Sequence, residues 1–163
     1  MVIKEKMQKA INKQINAELY SAYMYLAMAA YFEANNWRGF AQWLKVQNRE
    51  ETVHAMKFYE YLFDRGGKAC LTQIDTPPAE WKSPLAAFEA VYAHELKVTG
   101  LINELLKLSR EENDTATEAI LQWFINEQIE EEANALLIVE KLKLIKDSVQ
   151  GLFMLDHELG ERK

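Results

Sequence analysis

Lys68-Ala69-Cys70-Leu71-Thr72-Gln73-Ile74-Asp75-Thr76-Pro77-Pro78-Ala79-Glu80-Trp81-Lys82 is the stretch on which the fold turns. No helical or strand period runs through it, and Pro77 and Pro78 withhold the backbone donors that a helix would need. A structureless connection of this length is uncommon in a compact domain and calls for a reason. Extended at about 3.3 Å per residue it covers roughly 50 Å, while a helix of about 28 residues is roughly 42 Å long. It can therefore run from one end of a helical bundle to the other, which makes the helices on its two sides parallel.

Reading outward, the residues before it repeat at steps of three and four. Phe40, Leu44, Gln47, Glu51, His54, Phe58 and Tyr61 form the core stripe of a helix that stops near Gly66-Gly67. On the other side, Ser83-Pro84 is an N-cap followed by proline at the first helical position. The helix it opens carries Phe88, Val91, Glu95, Val98, Ile102 and Leu105. Further upstream, Lys4 to Glu33 contains no glycine or proline and has the stripe Ile11, Ile15, Glu18, Ala22, Tyr25, Ala29, Phe32. Its break at Asn35-Asn36 is short, so the first two helices should be antiparallel neighbours. Downstream, Glu112-Asn113-Asp114-Thr115 leads into a fourth helix with Leu121, Phe124, Gln128, Glu131, Ala135, Ile138, Leu142 and Ile145. Asp147 or Ser148 then caps a short helix through about Leu159. With Val149, Leu152, Phe153, Leu155 and Leu159 it is too apolar for a free tail and is expected to dock, another subunit being one possible host. The expected fold is all-α: one domain over 1–163, a four-helix bundle from about residue 4 to 146, one long crossover between helices two and three, and a short fifth helix at about 148–159.

Bulk properties narrow the function. A net charge of -6 disfavours nucleic acid as a partner, because phosphate binding needs a basic face. No apolar run is long enough to span a membrane and no secretory leader is visible, so a cytoplasmic location is expected. The single cysteine, Cys70, cannot close an intrachain disulfide and reads as filler in the crossover. His94 and His157 lack a partner pattern and read as surface or interface residues, and Glu132 reads as solvated.

The carboxylates inside the stripes carry the chemistry. A buried ionised carboxylate costs several kcal/mol unless it is paired or holds a metal. Glu51 and His54 lie one turn apart on one helix face. Glu18, Glu51 with His54, Glu95, and Gln128 with Glu131 each fall near a helix midpoint, and midpoints of bundled helices meet whatever their directions. Four carboxylates offset two divalent cations. Oxygen-rich ligation with one imidazole suits iron or manganese and tolerates zinc.

At these residues the chain resembles the ferritins, most closely the haem-free prokaryotic ferritins, over nearly its whole length. The matching text is Asn16-Ala17-Glu18-Leu19-Tyr20-Ser21-Ala22-Tyr23, Glu50-Glu51-Thr52-Val53-His54-Ala55-Met56, and Glu127-Gln128-Ile129-Glu130-Glu131-Glu132. The resemblance implies that Glu18, Glu51 and His54 hold a first iron, with Glu51 bridging to a second held by Glu95 and Glu131. It implies that Gln128 helps position oxygen or water, that Glu50, Glu127 and Glu130 form a third iron site, and that Tyr25, with Trp123 as a weaker candidate, is a redox neighbour. Bacterioferritins place methionine where Thr52 stands and Glu-x-x-His where Gln128 and Glu131 stand, so no haem is expected. Rubrerythrin-like relatives need a Cys-x-x-Cys module, which one cysteine cannot build. The function implied is oxidation of ferrous iron by dioxygen and storage of the ferric product in a hollow shell of twenty-four subunits. A di-iron oxidase or peroxide scavenger without storage is the alternative.

Overall fold

A computed structural model describes residues 1–163. Five helices follow in order: α1 (Glu5–Ala34), α2 (Arg38–Asp64), α3 (Pro84–Glu111), α4 (Thr115–Ile145) and α5 (Val149–Gly160). The punctuation is chemical. Gly66 ends the turn after α2 at φ 65°, a conformation that costs glycine nothing. Ser83 caps α3 by accepting from the Ala86 amide at 3.0 Å, with Pro84 at the first helical position. Asp114 does the same for α4 from the Thr117 amide at 3.1 Å, and Ser148 for α5 from Gly151 at 3.1 Å.

Contacts fix the directions. Ile3 bonds Arg65 and Asn48 bonds Ala22, so α1 and α2 are antiparallel. Arg110 meets Glu118 while Gln128 meets Glu95, so α3 and α4 are antiparallel as well. Phe88 near the start of α3 packs on Phe40 and Trp43 near the start of α2. These two helices therefore run parallel, as the crossover requires.

The crossover is strapped to α1 by side-chain amides spaced one turn apart. Gln8 accepts from the Lys68 amide, Asn12 donates to Lys68 O and accepts from the Cys70 amide, and Asn16 donates to Thr72 and Gln73. Trp81 then packs on Tyr31 near the far end of α1. Asn12 makes two of these bonds, at 2.9 and 2.6 Å. Asn12→Ala is expected to cost about 1–2 kcal/mol at this half-buried position, and to raise amide exchange at residue 70 specifically. Unchanged exchange there would mean that the strap does not hold the loop.

Apolar stripes meet inside the bundle, but the core is split in two. At one end Phe32, Phe40 and Phe88 pack together with ring centroids 5.0 to 6.0 Å apart. At the other, Phe58 and Phe124 stack at 3.9 Å. Between the two lies a buried polar layer. α5 docks on α2 of its own chain through Leu155 and Leu159, which answers where the short apolar helix goes. The approach is close because glycine faces it. A Cβ on Gly39 would lie 1.6 Å from the Asp156 carbonyl oxygen, and one on Gly160 would lie 3.2 Å from the Gly39 Cα. Phe153, Met154 and Val149 remain exposed.

Candidate metal centre

The polar layer is built from all four long helices. Glu18, Glu51, His54, Glu95, Gln128 and Glu131 are all buried, along with Gln14 and Gln47. Glu18 from α1 and Glu51 with His54 from α2 come together, their potential ligand atoms lying within 4.8 Å of one another. His54 turns Nδ1 toward Glu51 Oε2 at 3.2 Å and Nε2 toward Glu127 Oε2 at 3.8 Å. A second such group is His54, Glu127 and Glu131.

Neutral amides orient these carboxylates. Gln14 donates to Glu18 Oε1 at 2.7 Å and Gln47 to Glu131 Oε2 at 2.8 Å. Glu95 is occupied on both oxygens: Oε1 accepts the Tyr25 hydroxyl, and Oε2 accepts the Gln128 amide at 3.1 Å. Glu95 therefore stands in the layer without joining either three-residue group. Three buried oxygens receive no bond from an amide, imidazole or hydroxyl group, namely Glu18 Oε2, Glu51 Oε1 and Gln47 Oε1. Buried oxygens without a proton donor are suited to a cation, and a set of hard oxygens with one imidazole suits iron or manganese.

The outer residues are less gathered. Glu127 is partly buried and joins the second group, Glu50 is partly buried and engaged by Arg162, and Glu130 is exposed. Trp123 meets the His54 ring edge-on at 5.4 Å, beneath the Lys57 ammonium at 4.3 Å. His94 is not a surface residue: it is half-buried, 2.7 Å from Ser21 Oγ, and edge-on to the Tyr25 ring. Burial, with Lys97 adding to it, pushes its imidazole down to about 4. Glu132 is half-buried too and accepts the Thr99 hydroxyl. Sequence reasoning left Gln14 unremarked and gave Gln47 no role, although each sits four residues before a site glutamate and thus one turn below it.

Electrostatics make these carboxylates costly to hold together without a cation. Burial, then the Glu51 charge, raises Glu18 well above the usual carboxylate range, and burial, then Glu95 and Glu131, does the same to Glu51. Glu95 is raised by burial. Glu131 is pushed up to about 7 by burial and by Glu95. Unfolded, such groups ionise near 4.3, so between that value and about 7 the folded protein holds protons that the unfolded chain has lost. Its stability accordingly falls as pH rises through that window. Asp114 acts in the opposite sense. Although burial opposes it, the bonds from Arg65 and Thr117 hold Asp114 below its ordinary value. Its contribution is present above the unfolded value and is lost as pH falls through the folded one. Metal-free protein is therefore expected to melt several degrees lower at about pH 7.5 than at about pH 5, and zinc should reverse the loss. Calorimetry at the two pH values, with and without zinc, checks this. A flat profile would show that the buried carboxylates do not titrate as a strained group.

A four-helix bundle with a carboxylate and imidazole layer across its middle defines the class of bundle metalloproteins that bind through side chains on facing helices. The Ferritin family, described as a ferritin-like domain, matches residues 8–145. The bacterial non-heme ferritin of Bacteroides fragilis (strain 638R) is 44% identical over 161 residues, 99% of this chain and 100% of the relative. That of Staphylococcus saprophyticus is 37% identical over 99% of this chain and 96% of the relative. A solved structure of an open pore ferritin from the hyperthermophilic archaeon Archaeoglobus fulgidus superposes with a TM-score of 0.98 at 52% identity, covering 99% of this chain and 98% of that one. The chain belongs to the ferritin family, in its prokaryotic non-haem branch.

Proposed function

We propose that this chain oxidises ferrous iron with dioxygen at the buried layer and stores the ferric product inside a hollow shell of its own copies, twenty-four being the expected number. The observation that carries the reading is the pair of buried oxygens without an amide or hydroxyl donor, Glu18 Oε2 and Glu51 Oε1, on two residues that gather with His54 into one group of potential ligands. Glu18, Glu51 and His54 receive one ferrous ion. Glu51 reaches toward a second, taken by Glu95 and Glu131. Two ferrous ions give up one electron each to dioxygen, which takes up two protons and leaves as hydrogen peroxide.

The protein supplies position and charge. Gln14 and Gln47 hold Glu18 and Glu131 in place by single amide bonds, leaving an oxygen of each carboxylate free for a cation. Tyr25 and Gln128 hold Glu95 through one bond on each oxygen, leaving a second lone pair on each for iron. The buried Tyr25 hydroxyl, kept protonated by burial and by the charge of Glu95, bonds that carboxylate directly and is a phenol able to give up a proton with an electron. Glu50, Glu127 and Glu130 offer an outer site for iron beside the pair.

The test is to add ferrous iron to metal-free protein in air while following ferric absorbance and assembly mass. Fast oxidation with iron far in excess of two per chain retained on a large assembly supports storage. Oxidation that stops at about two per chain, the capacity of one di-iron layer, supports a di-iron oxidase instead. No oxidation above buffer removes both.

A further inference from the structure

Lys57 follows His54 by about one turn of α2, and its ammonium lies over the face of the Trp123 ring, 4.3 Å from the centroid. Trp123 stands on α4, where it meets the His54 ring edge-on at 5.4 Å and the Phe124 ring edge-on at 4.8 Å. Lys57 is half-buried, yet it makes no ion pair and no hydrogen bond with the protein, in a chain with an excess of acidic residues. Its charge is therefore left to act on the indole, whose electron-rich face attracts a cation. The same charge opposes removal of an electron from that ring, because an indole cation radical would face the ammonium across 4.3 Å. Trp37 and Trp81 are half-buried too and pack on aromatic rings with no cation above them.

We propose that Lys57 acts through Trp123, holding that indole out of the redox chemistry of the central layer, so that Tyr25 supplies any electron that iron does not. The proposal rests on the reading of the layer as a site of ferrous iron oxidation. The need arises when a chain holds one ferrous ion rather than two. Dioxygen requires two electrons and two protons to leave as hydrogen peroxide; the protons come from solvent, and a single ferrous ion supplies one electron. The second electron must come from a side chain. Tyr25 can give it reversibly. Its O–H bond breaks, the electron goes to dioxygen, and the proton passes to Glu95 Oε1, which already accepts that hydroxyl. A later ferrous ion returns the electron and Glu95 returns the proton. Trp123, in contact with His54, is the competing donor. It would leave a cation radical, shed its N–H proton to water and then take up oxygen irreversibly. Lys57 opposes the first of these steps. The phenol escapes this penalty, because it loses its proton with the electron and builds up no charge.

Photo-oxidation of the metal-free protein by a ruthenium tris-bipyridyl complex with persulfate, a one-electron oxidant, tests the charge effect without iron. Oxygen uptake at each tryptophan is read by peptide mass mapping. Lys57→Gln is expected to raise oxidation at Trp123 about tenfold, within the range for unit charges about 4 Å apart between water and a protein surface. Trp37, Trp43 and Trp81 should be unchanged. Lys57→Arg keeps a cation over the ring and should stay near the parent. Lys57→Leu covers the ring without charge and should match Lys57→Gln. Parent-like protection in Lys57→Leu would assign the effect to shielding from solvent, and equal Trp123 oxidation in the parent and Lys57→Gln would show no effect; either result overturns the proposal. In a second arm, fewer ferrous ions than chains are added in air and the mixture is freeze-quenched for electron paramagnetic resonance. The parent should give a tyrosyl signal that Tyr25→Phe removes, and Lys57→Gln should add an indole signal. A tyrosyl signal alone in Lys57→Gln, with iron oxidised, would overturn the proposal and leave the functional reading standing. Iron left ferrous in the parent would overturn the functional reading, and the role of Lys57 at the centre with it.

Discussion

Glu51→Leu is expected to produce a protein that melts higher without metal and no longer oxidises iron. The side chain is buried, one of its oxygens has no donor, and Glu95 and Glu131 repel it. Replacing a buried, poorly compensated charge by an apolar group of similar size commonly stabilises by about 1–4 kcal/mol. Part of this gain is offset, since His54 Nδ1 loses its partner. In a chain of this length each kcal/mol moves the melting point by roughly 2–4 °C. Oxidation should fall by about 100-fold or more, because even residues that only orient a ligand cost about 10- to 100-fold when removed. Calorimetry and ferric absorbance on the same preparation decide the matter. A variant that melts lower, or one that oxidises iron at the parent rate, would place the function outside this layer.

Gly39→Ala should be the most damaging single methyl in the protein. On helix propensity alone alanine gains about 1 kcal/mol over glycine. Against this, the new Cβ would sit 1.6 Å from the Asp156 carbonyl oxygen and 2.4 Å from its carbon. These are backbone atoms of α5 and cannot rotate away, so the helix must lift. Leu155 and Leu159 would then lose their burial, worth about 1.5–3 kcal/mol each at most. The Phe40 amide would lose its bond to Asp156 Oδ1. A net loss of about 3 kcal/mol is expected, with α5 amides exchanging freely while those of α1 to α4 stay protected. Denaturant unfolding and hydrogen exchange measure both. Parent-like stability with α5 protected would mean that the contact at Gly39 yields without cost.

The bundle was legible in the sequence because its stripes are long, periodic and cleanly interrupted. Pro77 and Pro78 forbid a helix where the crossover runs, and Ser83-Pro84 marks where the next one begins. Glu18, Glu51, Glu95 and Glu131 stood out because ionisable groups in apolar stripes are costly and these four share one height. Their partners were harder to see. Gln14 lies four residues before Glu18, a local spacing that could have revealed it, whereas Gln47 bonds Glu131 across the bundle and no spacing links the two. Nothing local could have found Arg162 on Glu50, since that contact exists only after α5 folds back on α2. The sequence shows His94 only as a surface or interface residue without a partner pattern, because its partner, Ser21, belongs to another helix and no spacing links the two.

The crossover divides the chain into two hairpins, α1 with α2 and α3 with α4, and each carries half of the polar layer. Glu18, Glu51 and His54 belong to the first; Glu95, Gln128 and Glu131 belong to the second. A cation shared between Glu51 and Glu131 would therefore act as a clamp across the seam between two units that form largely from local contacts. Interactions made only when the halves dock contribute little to the rate at which each hairpin forms and much to the barrier against their parting. Iron in the centre would then lengthen the lifetime of the folded subunit more than it speeds folding, making a loaded subunit kinetically more durable than an empty one.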